Sequence, residues 1–164
     1  MDDSYLRYGP ALVRKARRLL GNHADAQDIV QGLFVDLLAE SEVEPDPEAK
    51  KLALPYLYRA VTHRCLSLLR NEKNRARLLA EQTPALRGQA RTRCDDEVLG
   101  LDLLSKLLRE LSERESEIVV YRYFDDLSQD EIAGLVGTSR KTVGKDLDRV
   151  RDAVHALRGE GDEP

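Results

Sequence analysis

"LSQDEIAGLVGTSRKTVGKDLDRVRDAV", residues Leu127–Val154, predicts two helices joined by a tight turn. Ser128 and Glu131 have the spacing of a capping box, which satisfies free backbone N–H groups where a helix starts. Gly137 supplies the left-handed residue that commonly ends a helix. A short helix, a turn of about three residues and a longer helix are typical of the helix-turn-helix DNA-binding unit. A helical hairpin inside a bundle is the alternative.

The second of these helices carries three aspartates, which are Asp146, Asp148 and Asp152. At 100° per residue, an apolar stripe faces inward. It consists of Val143, Leu147, Val150, Val154 and Leu157. The outward side has Lys141, Lys145 and Asp148 at its centre and Arg140, Gly144 and Arg151 on one flank. We expect Asp146 beside the stripe, paired with Arg149, and Asp152 past the end that enters the groove. Asp148 therefore either accepts from a cytosine amino group or weakens attachment to phosphates.

The charge changes sign along the chain, although the net charge is only -4. Residues 59–93 contain nine basic and two acidic side chains, whereas residues 95–117 contain eight acidic and three basic ones. Such a switch commonly marks a domain boundary, and the segment between the two blocks has little apolar periodicity. We therefore predict an all-α protein with two small helical domains. Their predicted limits are residues 1–80 and 98–158, with a flexible linker at 81–97 and a disordered tail at 159–164.

Apolar spacing in the first domain predicts helices over residues 5–20, 24–40 and 55–75. Gly21 and Asn22 end the first helix, and Pro55 stands at a plausible first position of the third. The buried stripe of the second helix comprises Ile29, Val30, Leu33, Phe34, Leu37 and Leu38. Its outer side carries Asp25, Asp28, Gln31, Gly32 and Asp36.

The third helix has an apolar face and a mixed polar face. The apolar face comprises Tyr58, Val61, Cys65, Leu68 and Leu69. The polar face comprises Tyr56, Arg59, His63, Ser67, Arg70 and Asn74. A solvated helix face is the simpler interpretation of the charges. Arginines interleaved with an aromatic ring and a histidine favour nucleic acid, because bases stack on rings while arginines hold phosphates.

The sequence offers no seat for catalysis, a cofactor or a metal ion. Cys65 and Cys94 lack metal-ligand spacing, and the three histidines are scattered. No phosphate loop, nucleophile elbow or convergent set of carboxylates occurs. No stretch approaches the roughly 18 apolar residues of a membrane span, and the start of the chain lacks a signal-peptide pattern. We therefore predict a cytoplasmic protein that is not an enzyme.

Three segments, taken in order, resemble the extracytoplasmic-function (ECF) sigma factors of bacterial RNA polymerase. They are "DAQDIVQGLF", "PYLYRAVTHRCLSLLR" and "LSQDEIAGLVGTSRKTVGKDLDRVR". The resemblance covers nearly the whole chain. It implies a four-helix sigma region 2 that opens promoter DNA and a helix-turn-helix sigma region 4 that reads the upstream promoter element. It also implies binding to core RNA polymerase.

The resemblance further implies roles for particular residues. Asp25, Asp28 and Gln31 would bind polymerase, and Gly32 stands where the family often has Glu. The downstream promoter element would be bound by Tyr56, Arg59, His63, Ser67, Arg70 and Asn74. In that set Tyr56 occupies a position that is often Trp, and His63 one that is often a base-holding Asn. The upstream element would be bound by Ser139, Arg140, Lys141, Thr142, Lys145, Asp148 and Arg149. Family members often have Arg where Gly144 and Asp146 stand, so we expect weak DNA binding without polymerase.

The partners expected for such a sigma factor are core RNA polymerase, promoter DNA and an anti-sigma factor, with no membrane and with a monomeric free state. Two alternatives remain open on the sequence. One is a free-standing helix-turn-helix regulator that binds operators as a homodimer. The other is a sigma-like protein that binds polymerase or an anti-sigma partner without initiating transcription.

Overall fold

The protein is described here by a computed structural model that covers residues 3–41, 53–82 and 104–159. The helices are α1 (Asp3–Leu20), α2 (His23–Ser41), α3 (Leu54–Gln82), α4 (described over residues 104–110), α5 (Glu113–Val119), α6 (Gln129–Val136) and α7 (Arg140–Gly159). A π-helical turn, Val120–Phe124, continues α5. No strand occurs within these ranges, and the predicted all-α class is confirmed.

The chain divides into two compact units, Met1–Ser67 and Leu68–Pro164, and the division falls within α3. The predicted domain limit at residue 80 stays a prediction. The linker from residue 83 onward, the tail beyond Gly159 and the loop with Pro45 and Pro47 lie outside the described residues. Three of the four helices implied for the first domain lie within them.

In the first unit, α1 and α2 meet at a short turn. Gly21 has a φ of 68°, the left-handed conformation that was predicted to end α1. Asn22 then starts α2, because its Oδ1 accepts from the N–H of Ala24 at 2.9 Å. The core of the unit includes Leu12, Ala16, Leu19, Ala26, Val30, Leu57, Val61 and Cys65. Leu38, predicted to be buried, is 47% exposed, because it lies about 90° from the centre of the buried stripe of α2.

The second unit contains both predicted capping boxes. Ser112 accepts from the N–H of Glu115 while the Glu115 carboxylate accepts from the N–H of Ser112, and Ser128 and Glu131 do the same for α6. Gly137 ends α6 with a φ of 76°. The helices pack around a cluster formed by Leu107, Leu111, Val119 and Val150, with Val154 and Leu157 partly buried against it. The inward stripe predicted for α7 is therefore fully buried only in its first part.

The π-helical turn after α5 was not foreseen from the sequence. The N–H of Asp125 donates to the carbonyl of Val120 at 3.1 Å, a bond five residues back instead of four. Asp126 follows with a φ of 54°, in the left-handed region that aspartate tolerates better than most residues. Tyr121 is fully buried, and its hydroxyl donates to Glu117 Oε1 at 2.8 Å.

Candidate nucleic-acid interface

The first turn of α7 is held by two hydroxyl side chains. The N–H of Thr142 donates to Ser139 Oγ at 3.1 Å, and the two hydroxyl oxygens lie 2.9 Å apart. The carbonyl of Ser139 accepts from the N–H of Val143 at 3.1 Å. Ser139 therefore acts as the N-cap of α7. Both hydroxyls predicted to contact DNA also stabilise the end of the helix that would meet it.

Three exposed cations, Arg140, Lys141 and Lys145, lie on the outer side of this helix start. Arg140 Nη1 is 3.7 Å from Asp130 Oδ2, and both side chains are about 70% exposed. An exposed ion pair of this kind contributes little to stability. Arg140 can therefore exchange its carboxylate partner for a DNA phosphate at little cost.

Asp148, the acid that appeared to oppose DNA binding, is paired on the helix itself. Arg151 Nη2 donates to Asp148 Oδ1, three residues apart, and both side chains are exposed. The charge of Asp148 is thus largely balanced by a neighbour on the same helix. The remaining outward charges are those of Lys141 and Lys145.

Asp146 differs from its prediction. It is 1% exposed, and its carboxylate accepts from Arg114 Nε at 2.9 Å and from Arg114 Nη2 at 3.0 Å. The predicted partner, Arg149, is more distant, with Nη1 at 3.9 Å. Asp146 is therefore inside the fold, in a two-point pair with α5, and the prediction of a purely local pair was wrong.

Arg149 and Glu115 complete this group of charges. Arg149 Nη1 lies 3.6 Å from Glu115 Oε1. Burial works against the charged form of Glu115, but hydrogen bonds from Ser112 and the nearby Arg149 outweigh it and lower the pKa of the carboxyl. The hydrogen bond to Asp146 raises the pKa of Arg114. We call Arg114, Glu115, Asp146 and Arg149 the α5–α7 charge cluster.

The flank of α7 next to α6 is open at Gly144. A β-carbon there would lie 3.7 Å from Gln129 Oε1, an ordinary contact. A larger side chain therefore fits at this position without moving the backbone.

Part of the polar face of α3 lies on the surface of the first unit. Tyr56 is 44% exposed, Ser67 is exposed, and Arg59 and His63 are partly exposed. Arg70 is partly exposed and falls beyond the division between the units. Asn74 lies in α3, and its side chain is outside the described residues.

The opposite face of α3 is apolar, with one buried cation against it. Leu57, Val61 and Cys65 are fully buried, whereas Leu68 and Leu69, predicted on this face, are only partly so. Lys15 Nζ lies 3.9 Å from the centre of the Tyr58 ring. Burial raises the pKa of the Cys65 thiol to about 12, against the opposing charge of Lys15, so the thiol stays neutral.

The outer side of α2 presents Asp28 and Gln31 to solvent. Two apolar side chains follow at helical spacing, Val35 at 62% and Leu38 at 47% exposure. The four side chains fall along one stripe of the helix. The sequence had identified only the polar pair, because Leu38 was assigned to the core.

Other members of the predicted outer row have local partners. Asp25 accepts from Asn22 Nδ2 at 2.9 Å and is partly buried. Asp36 accepts from Arg64 Nη2 at 2.6 Å. A β-carbon at Gly32 would lie 3.6 Å from Arg64 Nη1. Asp25 is therefore tied to the start of its helix, which Asp28 and Gln31 are not.

Among the described residues, no group of His, Cys, Asp or Glu is placed to hold a metal ion. Nor is any helix there long and apolar enough to span a bilayer.

Comparison with known proteins identifies the class. The family model for Sigma-70 region 2 matches residues 5–75, and the model for Sigma-70, region 4 matches residues 101–154. RNA polymerase sigma-E factor of Streptomyces coelicolor is 32% identical over 151 residues, which cover 92% of this chain and 79% of that protein. RNA polymerase sigma factor SigV of Bacillus subtilis is 29% identical over 130 residues, covering 79% and 74%.

A structural likeness was also found to the sigma factor RpoE of Bartonella quintana, solved in complex with the anti-sigma factor NepR. It covers 97% of this chain and 96% of that one, with 20% identity and a TM-score of 0.48. No feature of the site depends on this likeness.

The two matched regions and the relatives define an RNA polymerase sigma factor. The chain belongs to the sigma-70 family and is of the two-region, extracytoplasmic-function type. The free-standing regulator considered from the sequence is not favoured.

Proposed function

We propose that this sigma factor directs promoter-specific initiation through three surfaces, one on each of α2, α3 and α7. The observation that supports this most directly is a capped helix-turn-helix with exposed cations at the start of α7, in a chain that also matches region 2. Each surface has a separate partner, so each can be tested by itself.

The α2 surface is proposed to bind core RNA polymerase. Asp28 and Gln31 offer hydrogen-bonding groups, and Val35 and Leu38 add apolar area on the same stripe. A polar end beside an apolar end suits a protein partner, because apolar contact contributes affinity and hydrogen bonds fix the register. Asp25 contributes less, since it is already bound to Asn22.

The α3 surface is proposed to hold single-stranded DNA of the downstream promoter element. Tyr56 provides an exposed ring for stacking, and the imidazole of His63 can donate, accept or stack on an unpaired base. Arg59, Ser67, Arg70 and Asn74 complete the proposed strand path. Binding a flipped base offsets the few kcal/mol that unstacking costs, so no nucleotide hydrolysis is needed.

The α7 surface is proposed to read the upstream promoter element in the major groove, with Lys141 and Lys145 at the centre and Arg140 beside them. Gly144 and the paired Asp148 leave this surface with few net charges. We expect the free chain to bind DNA weakly. Attachment to polymerase would raise its effective concentration at the promoter.

The proposed partners are thus core RNA polymerase and promoter DNA, with an anti-sigma factor as regulator. We place the protein in the cytoplasm, as a monomer when free. A sigma-like protein that binds polymerase without initiating is the remaining alternative, and the unusual Gly32, His63 and Gly144 are the residues that favour it.

Run-off transcription of a genomic library with purified core polymerase tests this function. We expect new start sites only when both components are present. Polymerase binding without transcripts would support the alternative, and a tight gel shift by the free chain would contradict the need for polymerase.

Two substitutions test the α2 and α3 surfaces. Gln31→Ala should weaken polymerase binding in a pull-down, whereas Gln27→Ala, an exposed amide outside the proposed stripe, should not. His63→Ala should reduce open-complex formation, measured by permanganate footprinting, without changing polymerase binding. Unchanged open complexes would remove the base-holding role of His63.

A further inference from the structure

The α5–α7 charge cluster is arranged with its anions inside and its cations outside. The Asp146 and Glu115 side chains are 2% and 12% exposed, whereas those of Arg114 and Arg149 are 48% and 68% exposed. The formal charges cancel, two positive against two negative. Because the negative ends are buried, the surface presents two guanidinium groups to solvent.

Each guanidinium keeps hydrogen-bond donors for a further partner. Arg114 donates Nε–H and one Nη2–H to Asp146, and a guanidinium has five N–H donors in all. The two-point bond from behind fixes the plane of the Arg114 side chain. Its remaining donors therefore point away from the buried carboxylate, toward the half-exposed edge.

The position of the cluster relative to α7 suggests what it binds. An α-helix with side chains is about 10–12 Å across and the major groove about 12 Å wide, so the flanks of an inserted helix face the phosphate walls. One flank carries Arg140 beside Asp130 of α6. At 100° per residue, Arg149 lies on the opposite flank. Both walls of the groove would thus meet arginine.

From this arrangement we infer that Arg114 and Arg149 form a clamp for one DNA backbone phosphate, and that Asp146 is the positioning residue that holds it. The inference rests on the proposed promoter-reading role of α7. It adds Arg114, a residue of α5, to the DNA contacts. It also gives the aspartate on the recognition helix a role in DNA binding that favours the complex.

The first test uses the full chain bound to core polymerase and a promoter fragment obtained from run-off mapping. Single methylphosphonates, which remove one phosphate charge, are placed in turn along each strand of the upstream element. We expect one position where the neutral linkage weakens wild-type binding but has no effect on the Arg114→Ala holoenzyme. The slope of log K against log salt should also fall by about 0.9. An unchanged slope with full methylphosphonate sensitivity at every position would overturn the clamp.

The second test distinguishes positioning from simple repulsion by the sign of the effect. Removing an acid from a DNA-binding helix should raise affinity, and Asp152→Asn, an exposed acid on α7, is expected to do so. Asp146→Asn should instead lower affinity, because the clamp loses its support. A rise in affinity for both variants would overturn the positioning role.

Folding is controlled with a paired substitution. Arg114→Met with Asp146→Leu replaces the ion pair by apolar groups, an exchange that is often tolerated. This variant should melt as one folded unit and show the same loss of methylphosphonate sensitivity as Arg114→Ala. A folded double variant that keeps full sensitivity would contradict the clamp. Failure of the wild-type holoenzyme to select any promoter would refute the proposed function itself, and the inference with it.

Discussion

The two DNA-facing helices, α3 and α7, are built in different ways. The proposed contacts of α3 lie on a helix whose other face is apolar, so its core residues and its proposed contact residues are separate sets. In α7 the same residues serve both purposes, since Ser139 and Thr142 cap the helix and Asp146 ties it to α5. Changes to α3 should therefore alter DNA binding at nearly constant stability, whereas changes to α7 should alter both.

Asp146→Ala should produce the largest effect on this contrast. Removing one partner of a buried ion pair leaves a cavity and an unsatisfied group, and we expect a loss of about 3 kcal/mol in the free energy of unfolding. Asp148→Ala, which removes an exposed acid from the same helix, should change it by less than about 0.5 kcal/mol. Urea denaturation followed by circular dichroism measures both. Equal losses would show that burial of Asp146 has no energetic weight.

Gly144→Arg should strengthen DNA binding by the free chain. The position has room for a side chain, and one added charge-assisted contact to phosphate is worth about 1.5 kcal/mol, or roughly tenfold in affinity. A gel shift at low salt measures this. Gly144→Gln, similar in length but neutral, is the control, and an equal gain with glutamine would assign the effect to packing.

Local patterns in the sequence were sufficient for much of this molecule. The capping boxes at Ser112 and Ser128 and the left-handed Gly137 depend on neighbours within a few residues, so they could be predicted. The burial of Asp146 could not, because its partner Arg114 is 32 residues earlier in the chain. The exposure of Leu38 was missed for a related reason. An apolar residue at the edge of a stripe is buried only if another element covers it.

Gly32→Ala should sharpen the contrast in the first unit. The new methyl group makes only an ordinary contact, 3.6 Å from Arg64 Nη1, and alanine in a helix interior is favoured over glycine by about 1 kcal/mol. We expect a more stable first unit with unchanged DNA binding, measured by thermal melting and by the holoenzyme assay. Gly21→Ala is the matched opposite, because its φ of 68° strains any β-carbon, and it should lower stability by about 1 kcal/mol.

Acid should weaken the second unit through its two capping boxes, the smallest effect expected here. Hydrogen bonds from Ser112 and Arg149 lower the pKa of Glu115 despite its burial, and those from Ser128 lower the pKa of Glu131. A carboxyl with a lowered pKa in the folded state stabilises above its ordinary value of 4.5. That stabilisation is lost as the pH falls through the lowered pKa. Melting temperatures between pH 7 and pH 3 should therefore fall less steeply below pH 4.5 in the Glu115→Gln, Glu131→Gln double variant than in the wild type. Identical slopes would mean that other carboxyls carry the acid sensitivity, and the boxes would then be purely geometric stops for α5 and α6.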